Sequence, residues 1–207
     1  MPKVAAKDRD AFVESRQQEI LEAALKLFAR KGTDATSMEA IAQEVGLTKG
    51  TLYLYFESKQ AIFEELVGRF SLRPDVEYLV DHLRDRPLPE VVRFLVKATW
   101  ARLHEREEMV RLLLRELPRH LDHAAEFLEK VVLPTNLLFA DFLAEKLGPE
   151  RARELSTVVA GRSLLGMVLV FFVTQKLLGG ARLLPVPESD VIDTITELFL
   201  HGALGNA

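Results

Sequence analysis

Residues 33–63 read TDATSMEAIAQEVGLTKGTLYLYFESKQAIF, and this stretch decides the fold. Its punctuation spells helix, tight turn, helix. Thr36 stands three residues ahead of Glu39, the capping-box spacing that satisfies backbone donors left open at a helix start. Met38, Ile41, Ala42 and Val45 recur at three- and four-residue steps and give that helix one buried face. Gly46 stops it, since a residue without Cβ tolerates the left-handed conformation of a helix end. Thr48 is placed to cap again, and Leu52 with Phe56 anchors a second short helix at i, i+4. Together they describe a helix-turn-helix.

With Leu52 and Phe56 turned inward, Lys49, Gly50, Thr51, Tyr53 and Tyr55 face solvent. Residues 45–56 hold one lysine and no carboxylate, in a chain where 28 % of residues are charged. A surface that meets phosphates excludes acids, supplies hydroxyl and ammonium donors, and keeps a small residue where backbones approach. The bland alternative is a plain helical hairpin with exposed tyrosines, because helix-turn-helix geometry also occurs without DNA.

The run Gly46-Leu47-Thr48-Lys49-Gly50-Thr51-Leu52-Tyr53, with Tyr55-Phe56, Ser58-Lys59 and Ile62, resembles the DNA-binding signature of the TetR family of bacterial transcriptional regulators. Upstream, Ile20, Ala24, Leu27, Phe28, Gly32, Thr36, Ile41 and Ala42 match that family's first two helices. The resemblance is close over residues 16–66; beyond them it extends only to length and helical character. Leu54 departs from it, standing where the family more often has an aromatic or polar residue. The resemblance implies an all-α protein, with an N-terminal three-helix helix-turn-helix domain and a C-terminal helical domain for ligand binding and dimerisation. It implies double-stranded DNA as partner, met by Thr36, Ser37, Met38, Thr48, Lys49, Gly50, Thr51, Tyr53, Leu54, Tyr55 and Lys59. Residues 48–51 and Leu54 would meet base edges, Leu54 by way of a thymine methyl. Lys49, Thr51, Tyr53, Tyr55 and Lys59 would mostly grip phosphates, with Gly50 permitting close approach.

Composition sets bounds on the rest. A chain of 207 residues, 48 % hydrophobic, is ample for a core. Without cysteine there is no disulfide, thiolate metal site or cysteine nucleophile. MPKVAAKDRD lacks the apolar stretch of a signal peptide. The longest apolar run, residues 164–173, is shorter than the ~18 residues of a membrane span. The expectation is a cytoplasmic protein without a membrane segment. A net charge of −4 argues against nucleic acid in bulk, because DNA-binding domains are usually basic. Residues 1–60 carry nine Lys/Arg against nine Asp/Glu, so DNA binding has to rest on local placement. Lys3, Lys7 and Arg9 offer some further phosphate contact, diluted by Asp8 and Asp10.

Along the chain the spacing predicts a flexible segment over 1–11 and a DNA-binding domain over 12–58. A connecting helix follows over 59–86, with Ser58 at its start and prolines near its end. An effector-binding and dimerisation domain fills 87–207. Helices are expected over 91–105, 109–117, 120–147 with a kink near Pro134, 150–178, and 189–201. No strand-like alternation is found.

The helix containing residues 164–173 is apolar all round, so more than one face must be buried. A symmetric partner can supply the second cover; the resemblance also implies a homodimer through the last two helices. Gly161, Leu165, Val168, Phe172, Ile192, Ile195 and Phe199 are the expected interface. Two recognition helices would then read a palindromic operator about one DNA turn apart. In the resembling family a small molecule in the C-terminal domain moves the DNA-reading heads apart. Trp100, Leu103, His104, Met109, Leu113, Phe127, Phe139, Phe142 and Phe171 are the candidate pocket, and as a set they suggest an apolar effector such as an acyl compound or a lipophilic aromatic. One by one, such residues more often fill a core.

An enzyme is not expected. There is no glycine-rich phosphate loop and no serine in a nucleophile-elbow context. His120, Asp122, His123 and Glu126 are the nearest thing to a metal cluster. Two histidines on one helix face still want a third ligand, so neither metal nor cofactor is expected. The rival to a DNA-binding regulator is a helical dimeric metal-binding or protein-interaction module without DNA specificity.

Overall fold

The computed structural model describes residues 2–69 and 71–204, with side chains from Arg9 onward. Its described elements are helices, and they fall into two units. The first unit combines Met1–Phe70 with Glu108–Ala124; the second combines Ser71–Glu107 with Ala125–Ala207.

In the first unit α1 (Pro2–Lys31) packs against α2 (Met38–Glu44) and α4 (Lys59–Arg69), and α2 packs against α3 (Lys49–Tyr53). Ile20, Ala24, Phe28, Ile41, Leu52 and Ile62 are wholly buried and form the centre of this unit's core. The helix begins at Pro2 and not at residue 12, so residues 2–11 of the expected flexible segment continue α1. Residues 3–31 hold no proline or glycine, and Pro2 sits at the helix start, where its missing N–H costs nothing. The side chains of Lys3 and Lys7 lie outside the described residues.

The expected 59–86 connecting helix is two helices, α4 and α5 (Arg73–His82). Pro74 lies in the first turn of α5, where proline is tolerated but the preceding helix cannot run through it. Phe70, expected in the first of these, lies outside the described residues. A second departure is α7 (Glu107–Glu116), which belongs with the N-terminal helices although it follows α6 (Leu88–Glu105) directly in sequence.

The second unit holds α5, α6, α8 (Leu121–Phe127) in part, α9 (Leu133–Glu154), α10 (Thr157–Phe172) and α11 (Glu188–Leu204). Here α10 packs on α6, α9 and α11, and α6 also meets α5 and α11. Single π-helical turns, Leu128–Val132 and Val173–Leu177, continue α8 and α10. Gly148, at φ 78°, kinks α9 just ahead of Pro149. The chain breaks again at Leu155 and Ser156, both extended, so the long helix starts at Thr157 and not at residue 150.

Counted with its π turn, Thr157–Leu177 is long and apolar enough to cross a bilayer, with a mean hydropathy of 1.9. The run over 164–173 is short by itself, but the helix around it extends the apolar stretch and adds only Arg162 and Lys176 as charges. Only 28 % of its apolar stretch is buried inside the chain. A soluble core helix would be mostly covered, so this one has apolar surface to spare.

Candidate nucleic-acid interface

The turn between α2 and α3 is built by backbone chemistry. Gly46 takes φ 68°, its N–H reaches the Gln43 carbonyl at 3.2 Å, and the Leu47 N–H reaches Ala42 at 2.8 Å. These paired bonds are a Schellman closure, which satisfies carbonyls that the end of α2 would leave open. Thr48 then caps α3, its hydroxyl oxygen accepting the Thr51 N–H at 3.1 Å. The Thr48 and Thr51 hydroxyls lie 2.8 Å apart, so the start of α3 is tied by side chains as well as backbone.

Leu52 is fully buried and Phe56 nearly so, which fixes the rotation of α3. Thr48, Lys49 and Gly50 are exposed, Thr51 and Tyr55 are half-buried, Tyr53 is 46 % exposed and Leu54 is 84 % exposed. A leucine that open to water has no role in this core. A Cβ at Gly50 would meet nothing closer than Thr48 Oγ1 at 3.9 Å, so no intramolecular crowding requires glycine there.

The start of α2 differs from expectation. Ser37, not Thr36, is the N-cap, and its hydroxyl accepts the Ala40 N–H at 3.1 Å. Thr36 is buried and donates to the Gly32 carbonyl at 2.7 Å. Met38 is buried as well. Of these three only Ser37 presents itself to a ligand; the serine one residue on takes the cap because the Thr36 hydroxyl is already spent across the turn. Lys59, expected to hold a phosphate, donates to the Thr33 carbonyl at 2.5 Å and lies near that of Asp34 at 3.5 Å. The cap at Ser58 is as expected, taking the Ala61 N–H at 3.0 Å.

Residues 20–66 match the family model described as bacterial regulatory proteins, tetR family. The matched stretch is the capped helix pair just described, together with the helices that seat it. Over residues 20–66 the chain matches the tetR family of bacterial regulatory proteins. The HTH-type transcriptional regulator YerO of Bacillus subtilis is 27 % identical over 139 residues, 64 % of this chain. The chain spans about half of YerO's length, 47 %. The HTH-type transcriptional repressor BepR of Brucella suis is 28 % identical, over 73 % of this chain and 76 % of BepR. Among solved structures, Thermus thermophilus FadR in complex with lauroyl-CoA superposes with a TM-score of 0.59 at 21 % identity, covering 92 % and 96 % of the two chains. At that identity it shows a shared fold.

A feature of the first unit that the sequence did not announce is α7. Arg115 donates to the Ala29 carbonyl at 3.1 Å and to Phe28, the last carbonyls of α1. The neighbouring Glu116 is buried, accepts the Thr33 hydroxyl, and receives the Thr33 N–H at 3.4 Å and Arg115 Nε at 2.9 Å. Burial pushes the Glu116 carboxyl upward, but the Thr33 donors and the Arg115 guanidinium outweigh it and hold the pKa below the ordinary glutamate value. The reach of Arg115 and Glu116 across 83 to 87 residues is a tertiary fact that no local pattern marks.

The expected pocket residues are divided between the two units. Met109 and Leu113 are buried in the first unit, on α7, while Trp100, Leu103, Phe139 and Phe142 are buried in the second. Phe127 and His104 are half-buried and Phe171 is 39 % exposed. The expected dimer residues are also off register. Gly161, Val168, Phe172, Ile192, Ile195 and Phe199 are buried within the chain, and Leu165 is half-buried. The uncovered stripe lies beside them: Val159 at 61 %, Val170 at 60 % and Leu198 at 62 % exposure. A groove of about 350 Å³ runs there, lined by Val159, Ser163, Met167, Leu198 and Gly202 among others. On a helix apolar all round, spacing alone cannot say which stripe faces the core.

Among the described residues no group of three or more metal-ligating side chains is assembled. His123 lies against Phe63 with ring centroids 5.7 Å apart, and His120 faces Asp34 at 3.7 Å and Glu116 at 3.8 Å.

Proposed function

We propose that this protein is a ligand-responsive transcriptional repressor that binds a palindromic operator as a homodimer and leaves it when a small apolar effector binds. The observation that carries the reading is the outer face of α3. There an 84 % exposed Leu54, a half-exposed Tyr53, Lys49 and an unforced Gly50 share a capped helix whose rotation Leu52 and Phe56 fix. Lys49, Thr51, Tyr53 and Tyr55 donate hydrogen bonds to phosphates, joined by Ser37 at the start of α2. Leu54 reaches a thymine methyl in the major groove. The partner copy covers the Val159, Val170 and Leu198 stripe, and twofold symmetry then sets two α3 helices on successive grooves.

The name of BepR supports repression, and the lauroyl-CoA bound to Thermus FadR supports an acyl effector with a long apolar body. A DNA partner places the protein in the cytoplasm. The test is fluorescence anisotropy with DNA from upstream of the protein's own gene against scrambled DNA, at several salt concentrations. Two protomers on one short palindrome, lost in Thr51→Ala or Tyr53→Ala and weakened by salt, is the expected result. Absence of binding even at low salt refutes the reading.

A further inference from the structure

Thr99 Oγ1, Trp100 Nε1 and Gln175 Oε1, in the second unit, are buried without a hydrogen-bond partner. Thr99 and Trp100 are only 2 % and 3 % exposed and sit side by side on α6. The Trp100 ring meets Phe172 of α10 edge-on, with centroids 6.0 Å apart, and Gln175 follows Phe172 by three residues in the π turn. His104 closes the group, its ring 4.9 Å from Trp100 and 5.1 Å from Phe172. A folded chain seldom leaves buried donors and acceptors unpaired, and each such group calls for an explanation. A π turn is likewise a departure from regular helix that recurs where a site uses it.

We propose that this cluster is where the effector's polar end is read, and that this end is a neutral group carrying both an acceptor and a donor, as a primary amide does. The inference rests on the effector reading above. The indole N–H can only donate, so the ligand must offer it an acceptor. Gln175 Oε1 can only accept, so the ligand must also offer a donor, and the Thr99 hydroxyl serves either. A carboxylate supplies no donor, and the cations of α6 are committed elsewhere. Arg102 Nη2 lies 2.7 Å from both Asp75 carboxylate oxygens, Arg93 is 2.5 Å from Asp193, and Lys97 is exposed. A pure hydrocarbon would leave all three atoms unpaired. The Trp100–Phe172–His104 rings then flank the apolar part of the ligand.

The test is calorimetry on the full chain with three probes of similar size: 1-naphthamide, 1-ethylnaphthalene and 1-naphthoate. The amide is expected to bind at least tenfold more tightly than either of the others. Trp100→Phe and Gln175→Leu should abolish that preference while changing 1-ethylnaphthalene affinity less than threefold. Thr99→Val guards against a variant that merely misfolds. It swaps a partnerless hydroxyl for a methyl of the same shape, so it should weaken the amide yet melt no lower than the parent without ligand. Equal affinity for the three probes, a preference kept in Trp100→Phe, or a lower melting temperature for Thr99→Val would each overturn the inference. Preferential amide binding that fails to release operator DNA would keep the site and remove the effector reading. No binding of any probe would overturn both.

Discussion

Glu116 accepts both the hydroxyl and the N–H of Thr33, a residue 83 positions earlier in the chain. A buried carboxylate on α7 is therefore what closes the α1–α2 turn, while its neighbour Arg115 holds the end of α1. Glu116→Ala leaves the Thr33 donors and one guanidinium N–H unpaired in a buried setting. We expect a loss of about 1–3 kcal/mol, read as a lower urea midpoint, with the recognition-helix surface chemically intact.

The same residue sets a pH dependence. Its folded pKa lies below the unfolded value, so its contribution is fully present above about 4.3 and is lost as pH falls through the lowered folded value. Urea titrations between neutral and acidic pH should show the gap between the parent and Glu116→Gln shrinking in that acid window. A gap that stays constant would deny the coupling.

At the head of α3 two neighbouring substitutions should separate folding from reading. Thr48→Ala removes the side-chain acceptor for Thr51 N–H and should cost about 1 kcal/mol of stability. Gly50→Ala meets no crowding and favours helix, so its melting temperature should hold or rise. Its operator affinity should nevertheless fall at least tenfold by anisotropy, because the added methyl stands where a phosphate backbone approaches.

On α10, Val170→Glu and Val168→Glu should behave as opposites. Val170 is 60 % exposed, so the charge is tolerated by the single chain and should give folded monomers in sedimentation. Val168 is fully buried, so the same charge should abolish folding. A Val170→Glu protein that stays dimeric would move the interface elsewhere.

Gly161 lies where α10 packs closely on α9. A Cβ there would lie 2.9 Å from Phe139 Cδ1, and the Phe139 ring is fully buried. Gly161→Ala should therefore destabilise the second unit by about 1–3 kcal/mol, measurable by thermal unfolding.

Much of the head was legible because its signals are local. Gly46, Thr48 and Ser58 announce turn and caps within a few residues, and Leu52 with Phe56 announces the buried face. Thr36 misled because a threonine three residues before Glu39 fits a capping box, yet its hydroxyl found the Gly32 carbonyl first. The non-local features were invisible for a common reason. Which apolar stripe of α10 faces α9, and that α7 sits with the N-terminal helices, depend on contacts between residues far apart in sequence. The unpartnered atoms of Thr99, Trp100 and Gln175 are of this kind too, since no pattern marks a polar atom whose partner is missing.

The residues that carry the family match end at 66, yet the unit they belong to is not complete there. During synthesis the three-helix head emerges first and must wait, over ~50 further residues added at ~5–20 per second, for Arg115 and Glu116 to leave the ribosome. A nascent chain stalled before that point would display a recognition helix on an unfinished support. Operator binding during translation should therefore begin late, after α7 emerges, and a transplanted 1–70 fragment should not inherit the stability of the whole.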